Sequence, residues 1–263
     1  MSKRSRRKKS KKGSKKKPII NKRPAVYLLF IVFFAVVAFA IYFILSQTPV
    51  QPKIVTKTIT TIATTTEITH GDRSKKQIIF TFDGGSTIDS GNQILKILAK
   101  HNVKGTFFLT GKTVENYPDF AKQVASAGNE IFNHTYDHQD LTTLTGQEIG
   151  NEFAKMEKVL QATVGISPKP YFRAPYGARD TRVLTTAVKN GYTSVYWTVD
   201  AMDWEASQGE TSAEVRNIIL SSLAPGNIYL MHVGDPITGQ ILDDVFTTIE
   251  SKGYKIVSLT QGL

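Results

Sequence analysis

The chain has 263 residues, no cysteine and a formal charge of +11. That length allows one sizeable domain plus extensions, and the missing cysteines exclude a disulfide scaffold, so an external domain must rest on its own core. The charge would point to nucleic acid if it were evenly spread, but residues 1–24 hold about thirteen Lys and Arg and no acid; the remainder is close to neutral, which argues against a nucleic-acid partner.

Directly after the basic tail, residues 25–45 form an unbroken apolar run. This is about the twenty residues that a helix needs to cross a hydrocarbon core of roughly 30 Å. A cleaved secretory signal has an apolar region of only about 7 to 15 residues and ends in small residues, whereas Ser46-Gln47-Thr48-Pro49 is a poor cleavage signature. The run therefore predicts a transmembrane helix. The Lys/Arg cluster stays in the cytoplasm against anionic lipid headgroups, and everything later lies outside the cell membrane. The expected organisation is a cytoplasmic tail over 1–24, a single span over 25–45, an extracytoplasmic stalk over 46–76 and a folded domain over 77–263. The stalk is rich in Thr, Val, Ile and Lys without helical period; its β propensity leaves open an edge strand added to the domain.

Beyond the stalk, strand-like runs at 77–82, 105–109, 130–132, 171–173, 194–197, 228–231 and 255–258 alternate with stretches of helical period. The helices are expected at 93–101, 118–127, 146–164, 181–190, 212–223 and 240–252. This alternation predicts an α/β domain with a largely parallel sheet or barrel. Pro118 fits a helix start, and Gly128, Gly191 and Gly253 fit helix ends.

In parallel α/β architectures catalytic groups collect at the C-terminal ends of strands. That rule selects Asp83, His134, His138, Arg173, Asp200, Asp203 and His232. Each has a plainer reading alone. The imidazoles of His134 and His138, four residues apart, fit one side of a helical turn at a metal, or polar residues on a solvated turn. Asp83 before Gly84-Gly85 fits an acceptor for turn amides. Arg173 fits a structural ion pair, Asp203-Trp204 a helix cap with a packed aromatic, and His232 a core histidine bonded to a carbonyl.

Taken jointly and in order, these residues resemble the five motifs of the polysaccharide deacetylases, the NodB-homology domains of carbohydrate esterase family 4. The motifs stand as Thr81-Phe82-Asp83-Gly84-Gly85, His134-Thr135-Tyr136-Asp137-His138, Arg173-Ala174-Pro175-Tyr176-Gly177, Asp200-Ala201-Met202-Asp203-Trp204 and Leu230-Met231-His232. The resemblance covers roughly 77–263 and implies a deformed (β/α)7 barrel that hydrolyses acetamide groups of an extracellular acetylated glycan. It implies Asp83 as general base oriented by Arg173, and His232 as general acid held by Asp203. It further implies His134 and His138 as ligands of a divalent metal such as Zn2+, Co2+, Mn2+ or Ni2+, the Tyr176 N–H as oxyanion donor, and Trp204 and Leu230 as walls for the acetyl methyl.

One position departs from the pattern. Most members carry a second aspartate after the base as third metal ligand, and here it is Gly84. Two neutral imidazoles plus waters should hold the ion more weakly while leaving it more net charge with which to acidify water, and Asp89 or Ser86 are candidate substitutes. Some family members acting on the bacterial cell wall resemble this chain in lacking that aspartate, so the change reads as subclass variation. The expected function is N-deacetylation of an amino-sugar polymer, peptidoglycan foremost, with no protein partner evident. The alternatives are an O-acetyl esterase of xylan-type glycans and a non-catalytic glycan-binding relative.

Overall fold

The computed structural model describes residues 23–46, 67–85, 87–204 and 209–263. They fall into two compact units, Met1–Thr60 and Thr61–Leu263. The first is represented by helix α1 (Arg23–Ser46), within which the expected span 25–45 falls. Its side chains are described from residue 30 onward, and the large apolar ones, Phe33, Phe34 and Phe39 among them, are exposed. Over the described residues alone, no helix is long and apolar enough to cross a membrane. Most of the basic tail, 1–22, and most of the stalk, 47–66, lie outside the described residues.

The second unit is built on parallel strands β1 (Gln77–Gly84), β2 (Thr106–Leu109), β3 (Glu130–Asn133), β4 (Tyr171–Phe172), β5 (Thr193–Ser194), β6 (Val199–Asp200), β7 (Ile228–His232) and β8 (Lys255–Val257). The order is β5-β4-β3-β2-β1-β7-β6, with β8 paired to β1, and every pairing is parallel. This is a half-barrel consistent with the deformed (β/α)7 fold. Its crossovers carry α2 (Gly91–Lys100), α3 (Gly111–Asn116), α4 (Pro118–Ser126), α5 (Gly146–Val164), α6 (Thr181–Lys189), α7 (Ser212–Ser221) and α8 (Pro236–Ser251), and α9 (Leu259–Gly262) ends the chain.

Because successive strand residues point to opposite faces, β1 divides its side chains by parity. Ile78, Phe80 and Phe82 join the core layer shared with α2, α4, α7 and α8. Ile79 packs on the other face with Phe108, Phe132, Val195 and Ile228. Thr81 and Asp83 share that inner face, and β7 repeats the division, with Tyr229 and Met231 against the helices and Ile228 inside. The residues that break the apolar pattern near strand ends are thus the ones that face the mouth of the half-barrel.

Helix boundaries follow local chemistry. Thr145 with Glu148 and Thr211 with Glu214 form reciprocal capping boxes at the starts of α5 and α7, satisfying amides that have no partner inside the helix. Pro118 opens α4, and Gly128 and Gly253 follow α4 and α8 with φ of +76° and +77°, the left-handed region that a Cβ disfavours.

The segment read as stalk joins the domain from Glu67. Ile68 bridges Val195 in parallel, its N–H donating to the Ser194 carbonyl at 2.9 Å and its carbonyl accepting from Tyr196 at 2.7 Å. Arg179 clamps both oxygens of Glu67 at 2.7 Å. The expected strand over 194–197 instead ends at Ser194, with Val195 beyond it in an isolated bridge to Ile68, and the next strand begins at Val199. Between them the carbonyls of Val195 and Tyr196 accept from the Arg173 guanidinium, and Tyr196 stacks on Trp197 with ring centres 3.9 Å apart.

Candidate active site

Asp83 and His232 are register partners on β1 and β7. They open into a cavity of about 490 Å³, which His134, His138, Tyr176, Trp204 and Leu230 also line. Arg173 and Asp203 lie behind its walls, both 0 % exposed. The nine residues to which the family resemblance gives a role are thus brought to one cleft or to the layer supporting it, and Asp200, selected by the strand-end rule alone, lines the same cleft.

The first wall is an ion pair. Arg173 Nη1 donates to Asp83 Oδ1 at 2.7 Å and to Thr81 Oγ1 at 2.8 Å, while Nε and Nη2 donate to the Val195 and Tyr196 carbonyls at 3.2 and 3.1 Å. With the guanidinium 4.2 Å from the Phe108 ring centre, its donors are met where water cannot reach, and the carboxylate is held in one orientation.

The opposite wall is the His232–Asp203 pair. Asp203 Oδ1 accepts from His232 Nδ1 at 2.8 Å and Oδ2 from the His232 backbone N–H at 2.7 Å; Thr238 Oγ1 on α8 also donates to Oδ2. Donation from Nδ1 leaves Nε2 for the cavity. Burial pulls the imidazole downward, but the hydrogen bond and charge of Asp203 outweigh it and raise its pKa above the ordinary value.

Between the walls sit the paired imidazoles. Residues 134–138 do not form the helical turn that their spacing suggested: Thr135 and His138 take left-handed φ of 68° and 57°, and no helix spans them. The rings still converge, 4.9 Å between centres. His134 Nδ1 donates to the Arg173 carbonyl at 2.9 Å, and its Nε2 lies 3.6 Å from Asp83 Oδ2. Burial lowers the pKa of both rings, that of His138 to about 4 with the neighbouring His134 adding to the effect.

This donor set fits a divalent ion held by two nitrogens. Donation of the second ring nitrogen to a carbonyl is the usual support of a ligating imidazole, and it leaves the His134 Nε2 lone pair on the Asp83 side. Among the described residues no three His, Asp or Glu converge as a fuller ligand set. Asp89 is exposed and accepts from Thr87 Oγ1 at 3.0 Å; Ser86 lies outside the described residues.

Position 84 faces the helix layer, as strand parity requires: a Cβ there would meet Leu109 Cδ2 at 2.7 Å and Val233 Cγ2 at 3.6 Å. Gly85 is the glycine under His138, since its Cβ would lie 2.9 Å from His138 Cδ2. Gly85→Ala is therefore expected to push the ring aside and weaken zinc affinity by about tenfold or more, read by calorimetric titration. Gly84→Asp, whose side chain would start toward Leu109 and away from the imidazoles, is expected to leave zinc affinity within about threefold of the parent in the same titration. Displacing the Leu109 methyl should cost it about 1–3 kcal/mol in a thermal melt.

The motif reading assigned no role to several groups that the cavity reveals. Trp197 and Asp235 line it, as does Asp200, whose pKa burial raises against the opposing Met202 amide. Thr238 and Glu152 act from behind the walls. Only the aromatic and acidic character of Tyr196-Trp197 and Asp235 was visible locally; Thr238 and Glu152 are ordinary helix residues in the sequence.

Residues 70–195 match the family model described as polysaccharide deacetylase. A peptidoglycan-N-acetylglucosamine deacetylase of Bacillus cereus is 34% identical over 193 residues, covering 72% of this chain and 69% of the relative. The chain belongs to the polysaccharide deacetylase family. The family match contains Asp83, His134, His138 and Arg173, while Asp203 and His232 lie beyond it. The peptidoglycan-N-acetylmuramic acid deacetylase PdaA of Bacillus subtilis is 32% identical over 189 residues, 72% of each chain. Its solved structure, a family 4 carbohydrate esterase, superposes with a TM-score of 0.71 at 31% identity, covering 74% of this chain and 84% of the other. A CE4 family pseudoenzyme from Bacillus anthracis is similar to the same degree, with a TM-score of 0.71 at 30% identity over 75% of this chain and 69% of that one.

Proposed function

We propose that this chain is a metal-dependent N-deacetylase of cell-wall amino sugars, with peptidoglycan as its substrate. The observation that carries this reading is one cavity with an Arg173-bound carboxylate on one wall and an Asp203-bound imidazole on the other. A divalent ion held by His134 and His138 would supply Lewis-acid polarisation of the acetyl carbonyl and acidify a water. Asp83, fixed by Arg173, takes the proton of the attacking water. The Tyr176 N–H donates to the tetrahedral oxygen. His232 Nε2 protonates the departing amine while Asp203 stabilises the imidazolium. Trp204 and Leu230 enclose the acetyl methyl.

The substrate assignment follows the relatives, which are named for peptidoglycan. It is tested by acetate release from intact peptidoglycan, chitin oligomers and acetylated xylan, each with chelator and with zinc restored. Release from peptidoglycan that chelator abolishes is expected; equal or faster release from xylan would move the chain to the O-esterases. The likeness to a pseudoenzyme favours a second reading, a glycan-binding relative without turnover. Saturable glycan binding with no acetate release at any metal concentration would establish it.

We further propose that the chain sits at the cell membrane with its N-terminus cytoplasmic. Support comes from about thirteen cationic residues before an uncharged apolar run and from exposed apolar side chains along α1, which lipid would cover. Digestion of intact cells by external protease is expected to remove the folded domain and leave α1 in the membrane fraction.

A further inference from the structure

The loop that carries His134 and His138 is tied by backbone on one side only: the His134 N–H donates to the Leu109 carbonyl at 3.1 Å, and the Thr135 and Tyr136 carbonyls each accept at 3.0 Å, from the Gly111 and Lys112 N–H groups. The four amides after His134 are taken by side chains. Thr135 N–H donates to Asn133 Oδ1 at 2.8 Å, and His138 N–H donates to Thr135 Oγ1 at 3.2 Å. The two amides between them, Tyr136 and Asp137, donate to one and the same atom, Glu152 Oε2, at 3.0 and 2.8 Å. Asn133 and Thr135 are local to the loop, whereas Glu152 reaches it from α5.

Glu152 is 4 % exposed, an unusual place for a carboxylate without a close cation. Its nearest cationic partner is Lys155, an exposed side chain 3.9 Å from Oε1. Two converging N–H groups on one oxygen form the kind of anion-binding concavity that left-handed residues create, and here Thr135 and His138, at φ of 68° and 57°, flank those amides. Left-handed φ at a non-glycine residue persists only where surrounding contacts impose it. His134 is anchored by its bonds to the Leu109 and Arg173 carbonyls, whereas His138 belongs to no helix or strand, so its angle to His134 is set by this loop.

We propose that Glu152 is a positioning residue that holds the left-handed loop over 134–138 and thereby sets His134 and His138 for a divalent cation. It touches neither substrate nor ion and acts through the backbone between the two ligands. The inference rests on the reading of the histidine pair as metal ligands. Its consequence is separable from catalysis: loss of Glu152 raises the metal concentration needed, while turnover at saturating metal is retained.

The test is calorimetric titration of the full-length chain with zinc, beside a melt of the metal-free protein and acetate release across zinc concentrations. Glu152→Ala is expected to weaken zinc about 10- to 100-fold, with acetate release at saturating zinc within a few-fold of the parent. Glu152→Gln keeps an oxygen for both amides and is expected to restore affinity to within about threefold. Lys155→Ala is expected to leave it unchanged. If Glu152→Ala does not fold, Glu152→Asp, one methylene shorter, replaces it and must show the same loss. Parental zinc affinity in the Ala or Asp variant overturns the inference, as does a Gln variant no better than Ala. A parent chain that takes up no zinc overturns both this inference and the assignment of the histidine pair.

Discussion

Asp83→Asn is expected to lower acetate release at saturating zinc by about a thousandfold, within the range that a positioned general base contributes. The change is isosteric, and an amide oxygen can still accept from Arg173, but it cannot take the proton of a water. The guanidinium keeps its bonds to Thr81 and to the Val195 and Tyr196 carbonyls, so the fold should survive. It nevertheless loses the only carboxylate within ion-pair distance among the described residues. Breaking a buried pair from one side costs about 3–5 kcal/mol, and the retained amide acceptor should hold the loss toward the lower end. A cooperative melt at reduced temperature with near-complete loss of turnover is the expected pair of results. Turnover within tenfold of the parent would remove Asp83 from the role of base.

The second large effect concerns the acid. His232→Ala is expected to lower turnover by about a hundredfold or more, and Asp203→Asn is informative because it leaves the imidazole in place. Asp203 raises the pKa of His232 against the pull of burial, so the protonated acid persists to higher pH than a free histidine would allow. Without that carboxylate the alkaline limb of the rate profile should move to lower pH, and an unmoved limb would detach Asp203 from His232. Stability follows the same sign. A histidine whose folded pKa is raised adds stability that is fully present below the unfolded value of about 6.5 and fades as pH rises through the folded value. The parent should therefore lose more stability than Asp203→Asn on going from acidic to alkaline pH, as denaturant titrations at several pH values would show.

Much of this protein was legible from the linear chain. Apolar strand runs alternating with helical period specified a parallel α/β sheet, because sheet burial and crossover geometry leave few other arrangements. The five motifs specified which side chains would meet, since Asp83, Arg173, His134, His138, Asp203 and His232 stand near strand ends whose loops must converge.

Other features depend on contacts distant in sequence and were decided only by tertiary structure. The six-residue α3 and four-residue α9 are too short for a periodic signal. The strand expected at 194–197 stops early because Arg173, far earlier in the chain, takes the Val195 and Tyr196 carbonyls. The histidine spacing fitted a helical turn, yet Glu152 on α5 and Asn133 on β3 bind the loop amides and impose left-handed backbone instead. Position 84 was read as a vacancy among metal ligands, but folding turns it toward Leu109 and sets Gly85 beneath His138. The sequence determined which groups share the cleft; their angles, supports and protonation depended on buried hydrogen bonds between elements that only the folded chain brings together.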